Sequence, residues 1–303
     1  MIVCGIVLAN VSFVVASVLL YRLSLNVLKD HKAAFVSSLL FCVGPGGPFM
    51  SSIYTESPFA MLTFGGMLAF SRQQNLIAAW CWCLASLLRS NGVLLSGFFV
   101  YSAVMDARDS KTTVFRGMKY ATCIALVWCG MLGFQWYAYS SFCAGTSQSV
   151  RPWCHKLLPF IYSFVQQHYW DVGLFNYYTV RQIPNFVIAL PVVMIVYHAS
   201  ITYASSNASL FWSLGLKTPK KQATGFPSPD ALPYMYLLLF QTLLCLVMLH
   251  VQIMGRFLSS MPALYWYMAH VVANSNKARV LVEYLLLYLL TSTLLFAHFL
   301  PPA

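Results

Sequence analysis

Residues 2–21 read IVCGIVLANVSFVVASVLLY, twenty positions without a charge, and Arg22 follows at once. The hydrocarbon core of a bilayer is about 30 Å thick, and about 20 apolar helical residues are needed to cross it. The stretch therefore reads as a membrane span. No basic segment precedes the apolar run, so it is expected to remain in the protein rather than act as a cleaved secretion signal.

Further apolar runs lie at about 33–50, 57–70, 75–88, 92–105, 120–140, 184–203, 231–252, 257–273 and 280–299. With the first run they make ten candidates, of which the third, fourth and fifth fall short of a perpendicular span and have the least defined boundaries. Composition agrees. At 59% hydrophobic and 8% charged over 303 residues, the chain carries more apolar surface than a soluble domain could bury. The expectation is an all-α polytopic membrane protein of about eight to ten spans, forming a single multi-span domain over 1–303.

A net charge of +11 would suggest a nucleic-acid partner in a soluble protein. Here it reads as loop charge that orients helices against an anionic leaflet, and no nucleic-acid partner is expected. Alternating sides through the ten runs gathers Arg22, Lys29, Lys32, Arg72, Arg108, Lys111, Arg116, Lys119, Lys217, Lys220, Lys221, Lys277 and Arg279 on one face. Arg89, Arg151, Lys156, Arg181 and Arg256 are left on the other. By the positive-inside rule the face with thirteen cations is cytosolic, against five on the far face.

The longest stretches between runs are about 141–183 on the far face and 204–230 on the cytosolic face. The second is rich in Ser, Pro and Lys and is expected to be a mobile connector. Its sequon, Asn207 to Ser209, is then expected to stay unglycosylated. Most of the nine cysteines fall within apolar runs, and no Cys/His spacing suits zinc. Cys143 and Cys154 share the far-side loop, where they are either a disulfide or two free thiols. The chain has no phosphate-cradling glycine loop, no G-x-S-x-G and no D-x-D pair. The last absence argues against a nucleotide-sugar donor held through a divalent ion, and no metal or tightly bound cofactor is expected.

Four polar clusters occupy the far face. Gly44-Pro45-Gly46-Gly47-Pro48 interrupts the second run and Tyr54-Thr55-Glu56-Ser57-Pro58 opens the third. Irregular backbone at membrane depth needs protein or a wet cavity to satisfy it, so Glu56 is either a solvated turn residue or part of a cavity wall. Arg89-Ser90-Asn91-Gly92 opens the fifth run, and Arg89 either snorkels to the interface or faces a phosphate together with Asn91. A third cluster runs Gln166-Gln167-His168-Tyr169-Trp170-Asp171 and resumes at Gln182 and Asn185. Rings interleaved with amides suit a sugar, which presents apolar faces and hydroxyl edges together; the alternative is an interfacial aromatic belt. The fourth, Gly255-Arg256-Phe257 with Tyr265-Trp266, offers Arg256 as a second anion contact or a second snorkel.

The runs SSIYTESPFA (51–60), LRSNGVLL (88–95), QQHYWDVGLFNYY (166–178) with RQIPNFVIALP (181–191), HVQIMGRFLSS (250–260) with PALYW (262–266), and the terminal FLPPA (299–303) resemble the GPI mannosyltransferase II family, also called PIG-V. The resemblance follows the family's order across nearly the whole chain. It implies a GT-C type transmembrane enzyme of the endoplasmic reticulum. Such an enzyme takes mannose from dolichol-phosphate-mannose and adds the second, α1,6-linked mannose to a GPI-precursor glycolipid on the luminal side. Membrane lipids are expected partners, and an accessory membrane subunit is a further candidate. The family begins earlier, with a span and an acidic luminal loop, so the chain as given is expected not to transfer mannose by itself. The family also reads Asn where this chain has Asp171.

Inversion from a β-linked phosphate to an α-mannoside needs a base for the acceptor hydroxyl and cations for the departing phosphate. Glu56 and Asp171 are the far-face carboxylates and the candidate catalytic residues. Arg89 and Arg256 are expected at the phosphates, with Tyr54, Asn91, Gln166, His168, Trp170, Gln182 and Asn185 as the remaining substrate contacts. A polytopic lipid transporter and a non-catalytic or truncated product of the same family are the alternatives.

Overall fold

The computed structural model describes residues 2–110, 113–144, 151–217 and 223–298. Lys111, Lys220, Lys221 and the terminal 299–303 stretch lie outside them. The described residues form helices α1 (Ile2–Leu28), α2 (His31–Cys42), α3 (Glu56–Ser71), α4 (Asn75–Leu88), α5 (Gly97–Arg108), α6 (Val114–Phe142) and α7 (Ile161–Trp170). They continue as α8 (Ile183–Ser206), α9 (Ala208–Trp212), α10 (Leu232–Val247), α11 (Met254–Leu258), α12 (Pro262–Asn274) and α13 (Ala278–Ala297), with no strand among the described residues.

Each of the ten apolar runs contains a helix, and five helical segments are long and apolar enough to cross a membrane: Ile2–Leu28, Val114–Phe142, Val180–Ser206, Pro229–Val247 and Ala278–Ala297. The protein is an all-α polytopic membrane protein. Along α1, Val3, Val7, Val11 and Val14 are all more than half exposed, an outward stripe that only hydrocarbon or another apolar surface can cover.

Four runs differ from expectation: 231–252 is α-helical only to Val247, 257–273 is broken between Leu258 and Pro262, and the other two change near one end of the bundle. The run at 33–50 stops being α-helical at Cys42, where Gly44 to Pro48 cannot hold the ladder and the chain tightens into a 3₁₀ turn at Gly47–Met50. The run at 92–105 likewise opens as a 3₁₀ segment, Ser90–Ser96, and becomes α-helical at Gly97. Both irregular segments lie at the same end of the bundle.

The opposite end is fixed by caps and ion pairs. Asp30 caps α2 by accepting from the Lys32 and Ala33 amides at 2.8 and 3.1 Å. Lys29 pairs with Asp230 at 3.3 Å, and Gly225 donates its amide to the Leu28 carbonyl. These contacts tie the described part of the 204–230 connector to the end of α1. Tyr203 donates to the Ser228 carbonyl and Asn207 to that of Pro227. Between the ends, Phe41, Phe64, Trp82, Tyr265 and Trp266 fill a continuous core, and the indole of Trp266 is satisfied by Ser24 at 2.6 Å.

Candidate functional site

Three elements converge at the irregular end. Glu56 is the first residue of α3, where a carboxylate suits the positive end of the helix dipole. The Ser57 hydroxyl donates to the Met50 carbonyl and ties this first turn to the 3₁₀ turn before it. Arg89 holds an extended conformation between α4 and the Ser90–Ser96 segment. The sharp reversal there requires Gly92, because a Cβ at that position would stand 2.6 Å from the Ser86 backbone. Arg256 lies on α11, seated by Gly255, whose missing Cβ leaves room for the Pro45 carbonyl.

Both arginines turn inward onto one oxygen. Arg89 Nη1 stands 2.8 Å from Glu56 Oε1, while Arg256 approaches the same atom through Nη2 at 2.5 Å and Nε at 2.6 Å. The side chains of Arg89 and Arg256 are only 12% and 25% exposed, and that of Glu56 is fully buried. Neither arginine is therefore a snorkel. Rings hold the guanidinium planes: Phe257 and Phe59 flank Arg89 at 4.9 and 5.6 Å, and Phe49 and Tyr54 flank Arg256 at 4.1 and 5.2 Å. Two cations against one carboxylate leave one positive charge uncompensated, a local preference for an anion. Glu56 Oε2 is buried and has no hydrogen-bond partner.

A cavity of about 320 Å³ opens beside this triad and is lined by Arg89, Arg256, Asn91, Gln166, Trp170, Tyr162, His250 and Gln252, among others. Five of the expected residues thus share one space: Arg89, Asn91, Gln166, Trp170 and Arg256. Tyr54 contributes only its ring against Arg256. Gln182 and Asn185 stand one layer behind. Asn185 donates to Tyr177 at 2.8 Å, to Gln182 at 2.6 Å and to the lining residue Gln252 at 3.3 Å. Burial pushes the Tyr177 phenol upward while the Asn185 hydrogen bond lowers it, so it remains a hydroxyl that donates to Gln252. His250 stacks on the same ring at 4.4 Å.

Two expected residues are not brought to the cavity. Asp171 is exposed in a left-handed conformation at the end of α7, with Asn176 on its carboxylate at 3.3 Å. Its neighbours Trp170 and Val172 face the cavity instead. His168 is exposed and stacks on Phe164 at 5.0 Å. No carboxylate lines the cavity among the described residues. Tyr162, His250, Gln252 and Tyr177 were not singled out from the sequence, although the last three sit within the conspicuous runs HVQIMGRFLSS and QQHYWDVGLFNYY.

Cys143 and Cys154 form a disulfide in the loop between α6 and α7. An apolar groove of about 610 Å³ lies between α5, α6 and α10, lined by residues such as Val100, Trp128, Leu237 and Phe240.

A family model described as Mannosyltransferase (PIG-V) matches residues 1–303. Over 314 aligned residues the chain is 33% identical to a GPI alpha-1,6-mannosyltransferase 2 of Cricetulus griseus, covering 90% of this chain and 63% of that protein. It is 33% identical to the Homo sapiens protein of the same name, over 87% of this chain and 61% of the other. A GPI mannosyltransferase 2 of Aspergillus oryzae is 28% identical over 99% of this chain and 74% of its own length. The chain thus spans just over three fifths of the mammalian relatives' length. No solved structure matches.

Proposed function

Because the chain belongs to the Mannosyltransferase (PIG-V) family, we propose that it acts in transferring mannose from dolichol-phosphate-mannose to a GPI-precursor glycolipid. The mannose is the second of the anchor, α1,6-linked, and the site faces the lumen of the endoplasmic reticulum. The names of the relatives support the linkage and the acceptor class. The single observation that carries the reading for this chain is the inward-turned arginine pair at the edge of an amide- and ring-lined cavity.

In such a transfer the acceptor oxygen bonds to the anomeric carbon, and the bond from that carbon to the phosphate oxygen breaks. Dolichyl phosphate leaves with the electron pair and takes up the proton that the acceptor hydroxyl releases. Arg89 and Arg256 supply fixed cations where that negative charge develops, the arrangement that stabilises a transition state without reorganisation. Gln166, Trp170 and Asn91 offer the amides and ring for the sugar, and Gln182 and Asn185 act through Gln252. The groove between α5, α6 and α10 fits the polyprenyl tail. The geometry favours Glu56 as the counter-ion that orients both arginines, rather than as a base in contact with substrate. The disulfide suits an oxidising compartment on the site's side of the membrane.

Cells lacking the second GPI mannosyltransferase and expressing this protein test the reading. Surface GPI-anchored proteins should return when the chain is expressed at the full length of its relatives, with the preceding span and acidic loop, and fall sharply when that same protein carries Arg256→Ala at matched protein level. Restoration by both alike would remove the arginine pair from the account.

A further inference from the structure

Gln241 lies near the middle of α10, beside Thr242 on a helix whose remaining residues are Leu, Val, Met, Cys, Pro and aromatic. It is 1% exposed, and its amide oxygen has no hydrogen-bond partner. An unsatisfied amide inside a membrane protein is costly, so its retention calls for a reason. The residue lines a second cavity, of about 290 Å³, that shares Asn91, Gln166 and Phe257 with the arginine cavity and Val93 and Leu94 with the apolar groove. Asn91 also has a buried amide oxygen without a partner. Two amides with open hydrogen-bonding capacity thus face the passage between the cationic cavity and the hydrocarbon groove.

A primary amide presents an acceptor on one side and donors on the other, which suits sugar hydroxyls and phosphate oxygens. A polyprenyl chain offers neither. One helical turn earlier on α10, at Leu237, the wall is apolar, with Phe240 and Val93 beside it. We infer that Gln241 is a binding residue for the head of a lipid-linked sugar phosphate and marks the depth at which polar head gives way to hydrocarbon tail. The inference rests on the transferase reading above and adds to it a contact residue and a boundary.

Binding of dolichyl phosphate mannose and of dolichol to the protein in nanodiscs tests it. Gln241→Met keeps the length of the side chain and removes the amide. Donor affinity should fall about five- to tenfold, as for loss of one net hydrogen bond, while dolichol binding holds and the ligand-free melting temperature stays level or rises. A rise would follow from deleting an unsatisfied polar group, which a merely structural glutamine would not give. Wild-type binding matched by the variant would overturn the inference alone, as would equal losses for donor and dolichol with a lowered melting temperature. Failure of the wild-type protein to bind the donor would overturn the transferase reading and this inference with it. Should the Met variant not fold, Gln241→Asn withdraws the amide by one methylene: weaker binding of the donor alone supports the contact, and unchanged binding overturns it.

Discussion

Glu56 is the residue on which the site's geometry turns, since one of its oxygens holds two guanidinium groups brought from opposite parts of the chain. Removing one partner from a buried ion pair typically costs about 3–5 kcal/mol, because the remaining charge is left uncompensated. Glu56→Gln should therefore lower stability by about that amount, read as the thermal unfolding midpoint in detergent, and should lose activity together with it. Lost turnover at unchanged stability would instead make Glu56 a base with no positioning role. The sequence singled out Glu56, Arg89 and Arg256 separately, each with a bland alternative, because a lone charge near a span end fits the interface as well as it fits a site. Only the fold decides, by placing α11 against the start of α3. Asp171 illustrates the reverse. Its run is rich in site-like residues, yet a left-handed residue at the end of α7 turns its carboxylate outward while its neighbours line the cavity.

At the scale of elements, hydropathy made all ten helical runs legible, and their errors fall where the α-helical ladder breaks inside a run, at Gly44 to Pro48, at Ser90–Ser96, after Val247 and before Pro262. The two 3₁₀ segments at Gly47–Met50 and Ser90–Ser96 are apolar enough to read as span, and composition does not report the turns that end an α-helical ladder. These irregular segments seat the arginines. A Cβ on Gly255 would come 2.6 Å from the Pro45 carbonyl, so Gly255→Ala should push α11 away, at a cost of about 1–3 kcal/mol for overpacking. Turnover should fall with it, and an unchanged melting temperature and rate would show that α11 has room to spare. The loop between α6 and α7 carries a second prediction. With Cys143 and Cys154 paired, reduction under denaturing conditions should expose two more alkylatable thiols than the unreduced protein offers, out of nine cysteines. An equal number before and after would contradict the pairing.

For the whole molecule, the two ends of the bundle divide the chemistry as the charges do. Lys29, Asp230, Arg108 and Arg116 make their ion pairs at one end, and the arginine triad with its cavity lies at the other. A glycosylation acceptor inserted beside Cys154 should be modified and one beside Lys217 should not; modification beside Lys217 alone would invert the topology. The central claim, that Arg89 and Arg256 hold the phosphate of a lipid-linked mannose donor, is met most directly by mannose transfer measured in reconstituted membranes with the chain at the full length of its relatives. Arg89→Ala and Arg256→Ala should each lower kcat by about 10² to 10³, as for loss of one preorganised charge contact, and Lys at either position should restore only part, since it lacks the planar fork. Turnover unchanged in both Ala variants, at equal protein level, would contradict it.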